Sequence, residues 1–322
     1  MPLPQNRSDG AGSGSSATGR TQPLVSRKDV LWFLYLFVFR PLAARLPLGL
    51  LYRIGRWIEP ACQWVLRADK RRLRERLEPA LGAAADALEA IPRRFVSNAV
   101  VRVIDDLVAD RVIDANLANP PGIHGLDHLQ RALQPGNGAL IVNGHFFANR
   151  AARRWLARMG YPILAVRLRR PRHSTMGRLG QKYLLQRYSE FLHTAVRDEV
   201  DVMDPECTLK ILQRLRAGGL VNIYLDGLAS SEKVTCPFLG AHSEFPAGFL
   251  RIARLSGCAI VPMVCAGDAR RPLIRFDEPF RLEPRDDAGD FISANLPRLV
   301  RIMEAQIMHY PDQWELWLWR DT

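Results

Sequence analysis

Lysine is scarce. Only Lys28, Lys70, Lys182, Lys210 and Lys233 occur, so forty of the forty-five basic residues are arginine. With thirty-three acidic residues the formal charge is +12. Arginine presents a planar fork of donors to phosphate. Nucleic acid, an anionic membrane and a phosphorylated substrate are therefore the candidate partners, although a high genomic GC content would also enrich arginine. Cysteine is scarce too: Cys62, Cys207, Cys236, Cys258 and Cys265 are an odd number without CxxC spacing. No disulfide framework or zinc site is indicated, which points to a reducing compartment. Met1 to Arg20 holds no apolar run, which excludes a secretory signal there. No internal repeat is present.

A clean membrane span is missing as well. It needs about 20 apolar residues with few charges. Val30 to Phe39 is apolar throughout, but Arg40, Pro41, Arg45 and Pro47 interrupt the stretch from there to Tyr52. A helix lying in or dipping into one leaflet fits better, with Trp32, Tyr35, Tyr52 and Trp57 at the interface. Arg53, Arg56, Arg67 and Lys70-Arg71-Arg72 would then meet an anionic membrane surface.

The rest of the chain reads in three parts. Residues 1–27, rich in Ser, Gly and Thr, form an expected disordered tail. Residues 28–68 are the membrane-associated helical segment. Residues 69–322 begin with helices to Leu81, from Ala83 to Ile91, and from Phe95 to Ala118 after a break at Pro92. From about 125 the pattern alternates. Buried strands are expected at Ala139–Val142, Ile163–Leu168, Leu220–Leu225 and Ala259–Val264. Helices are expected near 147–159, 174–190, 206–217, 247–256 and 291–309. Ile274–Phe280 and Leu316–Trp319 are further strand candidates, the latter from the spacing of Trp314, Trp317 and Trp319. The fold class is α/β, with a mixed, mainly parallel sheet and flanking helices.

Reactive groups in such sheets gather beyond the carboxyl ends of the strands. Asn143-Gly144-His145, Arg167 with Arg169 and Arg170, and Asp226-Gly227 fall there. His145 follows a glycine suited to a tight turn and stands where the next helix is expected to begin. A helix N-terminus would lower its pKa and favour the neutral base, which can take a proton from an attacking hydroxyl. The other six histidines suggest no metal cluster. Gly177, Gly180, Gly218 and Gly219 form no phosphate-cradling fingerprint, and Glu244 reads as an exposed loop residue.

Gly144-His145-Phe146 to Arg150, Tyr224-Leu225-Asp226, Pro237-Phe238-Leu239-Gly240, Phe245-Pro246-Ala247-Gly248, Leu250 to Pro262 and Tyr310-Pro311-Asp312-Gln313-Trp314 together resemble the lipid A biosynthesis (lauroyl/myristoyl) acyltransferase family. This is a group within the lysophospholipid acyltransferase superfamily, and the resemblance runs from about residue 28 to 322. It implies attachment to the cytoplasmic face of the bacterial inner membrane. It also implies transfer of a fatty acyl group from acyl carrier protein or acyl-CoA to a hydroxyl of a glycolipid or lysolipid, with no cofactor. A nucleic-acid partner is not expected, because the basic residues interleave with apolar helix and form no recognition module. The family motif is a histidine followed five positions later by a carboxylate. It makes His145 the base, Asp226 a match to a second acidic position, and Arg170 or Arg187 a loose match to a family arginine; Arg150, Arg170, Arg187 and Gly227 are the substrate-binding candidates.

Arg150 stands where the motif carboxylate belongs. Asp226 could orient His145 instead, because the acceptor need not be adjacent in sequence. Arg150 could bind phosphate or polarise the thioester oxygen. Alternatively the site is altered, leaving a pseudo-acyltransferase that binds lipid or acyl carrier protein.

Overall fold

The computed structural model describes residues 23–82, 85–168, 177–184, 198–227, 230 and 232–318. Most of the expected N-terminal tail, Arg170 and Arg187 lie outside these residues. The chain opens with α1 (Arg27–Phe33), which continues through a π-helical stretch (Leu34–Phe39) into α2 (Arg40–Arg45). Then come α3 (Leu48–Val65), α4 (Arg67–Leu81) and α5 (Ala85–Ala115). Among the described residues no helix is long and apolar enough to cross a membrane. Pro92 does not divide α5, in contrast to the break expected there. A proline forfeits one backbone bond and crowds the preceding turn. Here tertiary packing offsets that cost, because Leu88, Ile91 and Phe95 on either side of it enter the core.

The alternating part comprises β1 (Ile123–His124), α6 (Leu126–Leu133), β2 (Ala139–Asn143), α7 (Asn149–Arg158), β3 (Ile163–Arg167), β4 (Glu199–Asp201), α8 (Cys207–Arg216) and β5 (Leu220–Tyr224). A hairpin of β6 (Lys233–Phe238) and β7 (Ala241–Pro246) precedes α9 (Gly248–Ser256), β8 (Ala259–Ala266), β9 (Leu273–Phe276) and α10 (Ala288–His309). The sheet order is β1-β9-β8-β2-β5-β3-β4, and β8–β9 is its one antiparallel pair among the described strands. The fold is therefore α/β with a mixed, mainly parallel sheet.

Strand periodicity sorts the core into two layers. Leu140 and Val142 face a cluster with Val221, Ile223, Phe291 and Leu299. Ala139 and Ile141 face another with Leu129, Ala152, Trp155 and Leu156. Both faces are covered, which explains the continuous apolar runs. A third cluster (Leu51, Tyr52, Ile104, Val108 and Ala151) seats α3 on α5 and α7. Residues 28–68 thus pack in part against the rest of the chain. Termini are set locally: Asp287 caps α10 by accepting from Gly289 N at 2.6 Å and Asp290 N at 3.0 Å. Gly257 closes α9 at φ +64°, a conformation that favours glycine.

Other elements also differ from expectation. Residues 316–318, most of the strand expected at Leu316–Trp319, lie instead in a 3-10 turn (Glu315–Leu318), and Trp319 lies outside the described residues. Trp317 is fully buried in that turn, so the aromatic spacing reflects a turn, not a pleat. The strand after Leu273 ends at Phe276, short of Phe280. Glu244 lies on β7, not in a loop, and pairs with Lys233 at 3.1 Å on the exposed face. Of the helix expected at 174–190, only residues 177–184 are described, with a π-helical stretch at Gly180–Leu184.

Candidate active site

β2 and β5 are parallel neighbours with Asn143 opposite Tyr224. His145 and Asp226 lie two residues beyond these partners, so the strand register alone brings them side by side. His145 Nδ1 is 2.6 Å from Asp226 Oδ1, and the His145 backbone N–H donates to Asp226 Oδ2 at 2.7 Å. Trp314 Nε1 donates to the same Oδ2 at 2.7 Å. An ionised carboxylate only accepts, so this network assigns the proton to Nδ1 and leaves the Nε2 lone pair available. Asp226 is fully buried, whereas the His145 side chain is about a third exposed.

The turn carrying His145 is pinned on both sides. Asn149 Nδ2 donates to Gly144 O at 2.6 Å. A C-terminal segment runs along it: Phe147 N donates to Gln313 O at 2.9 Å, Glu315 N donates to His145 O at 2.8 Å, and Phe146 bridges Trp314. Gly144 is needed for space, not for a left-handed turn. A Cβ there would stand 3.2 Å from Asp226 Oδ2 and 3.2 Å from the Phe146 ring.

The helix expected to begin at His145 starts at Asn149, so the lowering of the histidine pKa by a helix N-terminus does not govern the site. Burial does pull the imidazole down, but the Asp226 charge and hydrogen bond outweigh it and hold His145 above its ordinary value; Glu315 adds to this and Arg150 opposes it. For Asp226, burial pushes the carboxyl up, yet His145 and the other donors hold it below the usual carboxylate range. The pair is an ion-pair-prone dyad.

Arg150 turns to α5. Its Nη1 donates to Asp106 Oδ2 at 2.6 Å. Arg102 lies 2.8 Å from Glu315 and 3.8 Å from Asp106. A lattice of two cations and two anions thus flanks the dyad. Burial lifts the Glu315 carboxyl, against the opposing pull of Arg102 and Arg150. Gly227 N donates to Tyr224 O at 3.1 Å, which folds the chain back after Asp226. Arg167 is engaged by Glu199 at 2.8 Å. Arg170 and Arg187 lie outside the described residues. Among the described residues no three His, Cys, Asp or Glu side chains converge as a metal site.

Sequence reasoning missed Trp314 as the clamp on Asp226, and missed Asp106 and Glu315 altogether. These residues lie far along the chain from His145, and no local spacing couples them to it. The one signal in the chain was the Tyr310-to-Trp314 motif itself, which gave no hint of where it docks.

The chain matches a family model described as bacterial lipid A biosynthesis acyltransferase over residues 20–321. It belongs to that family. Comparison with curated proteins found no relative of significant similarity. Membership in the lipid A acyltransferase family means acyl transfer to a lipid, and the matched span includes the dyad, Trp314 and the flanking ion-pair lattice.

Proposed function

We propose that the protein moves a fatty acyl group from acyl carrier protein or acyl-CoA to a hydroxyl of a membrane glycolipid or lysolipid, with His145 as general base. The observation that carries this reading is the 2.6 Å contact between His145 Nδ1 and Asp226 Oδ1. It supplies the carboxylate that position 150 lacks. The acceptor hydroxyl gives its proton to Nε2 as its oxygen attacks the thioester carbonyl. Asp226 stabilises the resulting imidazolium and keeps the ring in the useful tautomer. Collapse of the tetrahedral intermediate breaks the carbon–sulfur bond, and the imidazolium returns the proton to the departing thiolate.

Membrane contact rests on the surface of the N-terminal helices. Phe33, Phe37, Phe39, Leu42, Trp57 and Trp64 are exposed there, more apolar surface than a solvated face needs. Contact from one leaflet fits the arginines interspersed along it, and we assign that leaflet to the cytoplasmic face of the inner membrane. We prefer acyl transfer to the pseudo-acyltransferase reading because Arg150 pairs with Asp106 while His145 pairs with Asp226.

His145→Ala should lower acyl transfer from dodecanoyl–acyl carrier protein to an under-acylated lipid A precursor by about 10²–10⁴-fold. Undiminished turnover by the folded variant would sink the assignment.

A further inference from the structure

Two side chains beside the dyad have no task in the acyl-transfer scheme. The Tyr224 ring stacks on the His145 imidazole, with centroids 4.1 Å apart and planes 22° from parallel. Arg153, one turn along α7 from Arg150, is 7% exposed, and its guanidinium carbon lies 5.9 Å from the Tyr224 centroid. Its Nε and Nη1 are buried without a hydrogen-bond partner.

Among the described residues the surroundings offer polar groups and no counter-charge. Asn143, Asn222 and Tyr224 occupy the sheet positions that alternate with Val142, Val221 and Ile223 of the opposite core layer, so they share the face covered by α7. Asn143 Oδ1 and both amide atoms of Asn222 are also buried and unpaired. Among the described residues no acidic side chain pairs with Arg153. Burying a cation without a counter-charge opposes folding, and a methionine of similar length would avoid that penalty. Arginine keeps its charge when buried, and in a low-dielectric interior that charge acts on its neighbours with little screening.

Each feature answers a weakness of the dyad. A single hydrogen bond at Nδ1 leaves the imidazole free to rock about that bond, and a stacked ring removes the freedom and aims Nε2. A fully buried aspartate also makes the imidazolium too comfortable, so the histidine would enter the cycle already protonated. A nearby cation opposes this. The charged groups that act on His145 are Asp226 beyond β5, Glu315 from the C-terminal segment and Arg150 from α7. Arg102 and Asp106 of α5 pair with Glu315 and Arg150, and Arg153 of α7 stands against the Tyr224 ring that stacks on the imidazole. Of the three arginines, Arg102 and Arg150 are each matched to a carboxylate.

We propose that Tyr224 and Arg153 are positioning residues for His145: the phenol ring fixes the imidazole plane, and the unpaired guanidinium weakens the dyad's hold on a proton. The proposal rests on His145 acting as the base.

The test uses the full chain in detergent micelles, with isotope-labelled histidine read by NMR and His145→Gln to assign the signal. Arg153→Met removes the charge and keeps the packing. It should hold or raise Tm while the His145 titration and the acid limb of the kcat–pH profile both move upward by about half a pH unit. The direction is upward because losing a cation makes the imidazolium easier to form. Tyr224→Phe keeps the ring and should retain kcat; Tyr224→Leu should lose on the order of tenfold or more in kcat with KM little changed. An unmoved titration in Arg153→Met, or Tyr224→Leu as active as Tyr224→Phe, overturns the proposal. A shifted titration alongside a fully active His145→Ala enzyme would uphold the influence on His145 and overturn the base assignment instead.

Discussion

Asp226 and Asp105 are both buried, yet the protein treats their protons differently. Asp226 receives the His145 ring, the His145 backbone and the Trp314 indole. Burial pushes its carboxyl up, but the chargeable imidazole reverses the balance and holds it low. Asp105, on α5, receives the Tyr52 hydroxyl at 2.5 Å and Ala269 N at 2.8 Å. It ties α3 and the β8–β9 connection to α5 through neutral donors. Burial is its largest influence and carries it to about 6. The same burial and the Asp105 charge push the Tyr52 phenol well above its ordinary range. Hydrogen bonds alone satisfy a buried carboxylate geometrically. At Asp226 the chargeable partner tips a balance that the two neutral donors leave unmet at Asp105.

The strongest way to break this comparison is Asp226→Asn, which keeps the shape and removes the charge. Acyl transfer should fall by about 10²–10⁴-fold, because an amide neither stabilises an imidazolium nor enforces the Nδ1–H tautomer. Residual activity should extend to lower pH, since His145 loses the charge that lifts it. A variant with wild-type turnover would mean that Asp226 only supports the fold.

Asp105 gives the next effect, with the opposite sign. Its folded pKa lies above its ordinary value, so its ionisation penalises the fold as pH rises. Relative to Asp105→Asn, the wild type should lose about 3 kcal/mol between pH 3 and 8, the shift from 3.8 to about 6 converted to free energy. Urea unfolding of both proteins across that range measures it, and a flat difference would refute it. Asp226 behaves conversely: its contribution is present above its unfolded value and is lost as pH falls through its folded one. That of His145 is complete below its ordinary 6.5 and is lost as pH rises through its raised folded value.

The smallest effect is expected at Arg150. Its side chain is about a third exposed, which screens its pair with Asp106. Arg150→Gln should cost about 1 kcal/mol and leave turnover within a few-fold. Arg150→Glu should be less stable still, because it sets a carboxylate against Asp106; recovery of stability when Asp106→Arg is added would show that the pair acts as a unit. A gain of activity in Arg150→Glu would mean that the motif carboxylate is still wanted.

Much of the fold was legible in the chain. The apolar runs at Ala139–Val142, Ile163–Leu168, Leu220–Leu225 and Ala259–Val264 announced the strands, which lie within about two residues of those bounds, because strands buried on both faces are mainly apolar. His145 and Asp226 stood out because they directly follow such runs. The β6–β7 hairpin was hidden: Pro237 and Pro246 lie within its strands, and its turn uses Leu239 at φ +51° before Gly240, where an Asn-Gly pair would have signalled it. The tryptophans at 314 and 317 misled, since burial in a short turn and alternation on a strand produce similar spacing over so few residues.

Apolar periodicity alone settled the α/β class, the main strands and the two residues at their ends, because that pattern is local and survives without knowledge of partners. The choice of carboxylate that serves His145 belonged to the folded chain. Strand order set Asn143 beside Tyr224, the C-terminal segment brought Trp314 back across 88 positions, and Arg150 was drawn to α5 by Asp106. These are contacts between distant segments, fixed by register and burial, and no spacing along the chain encodes them.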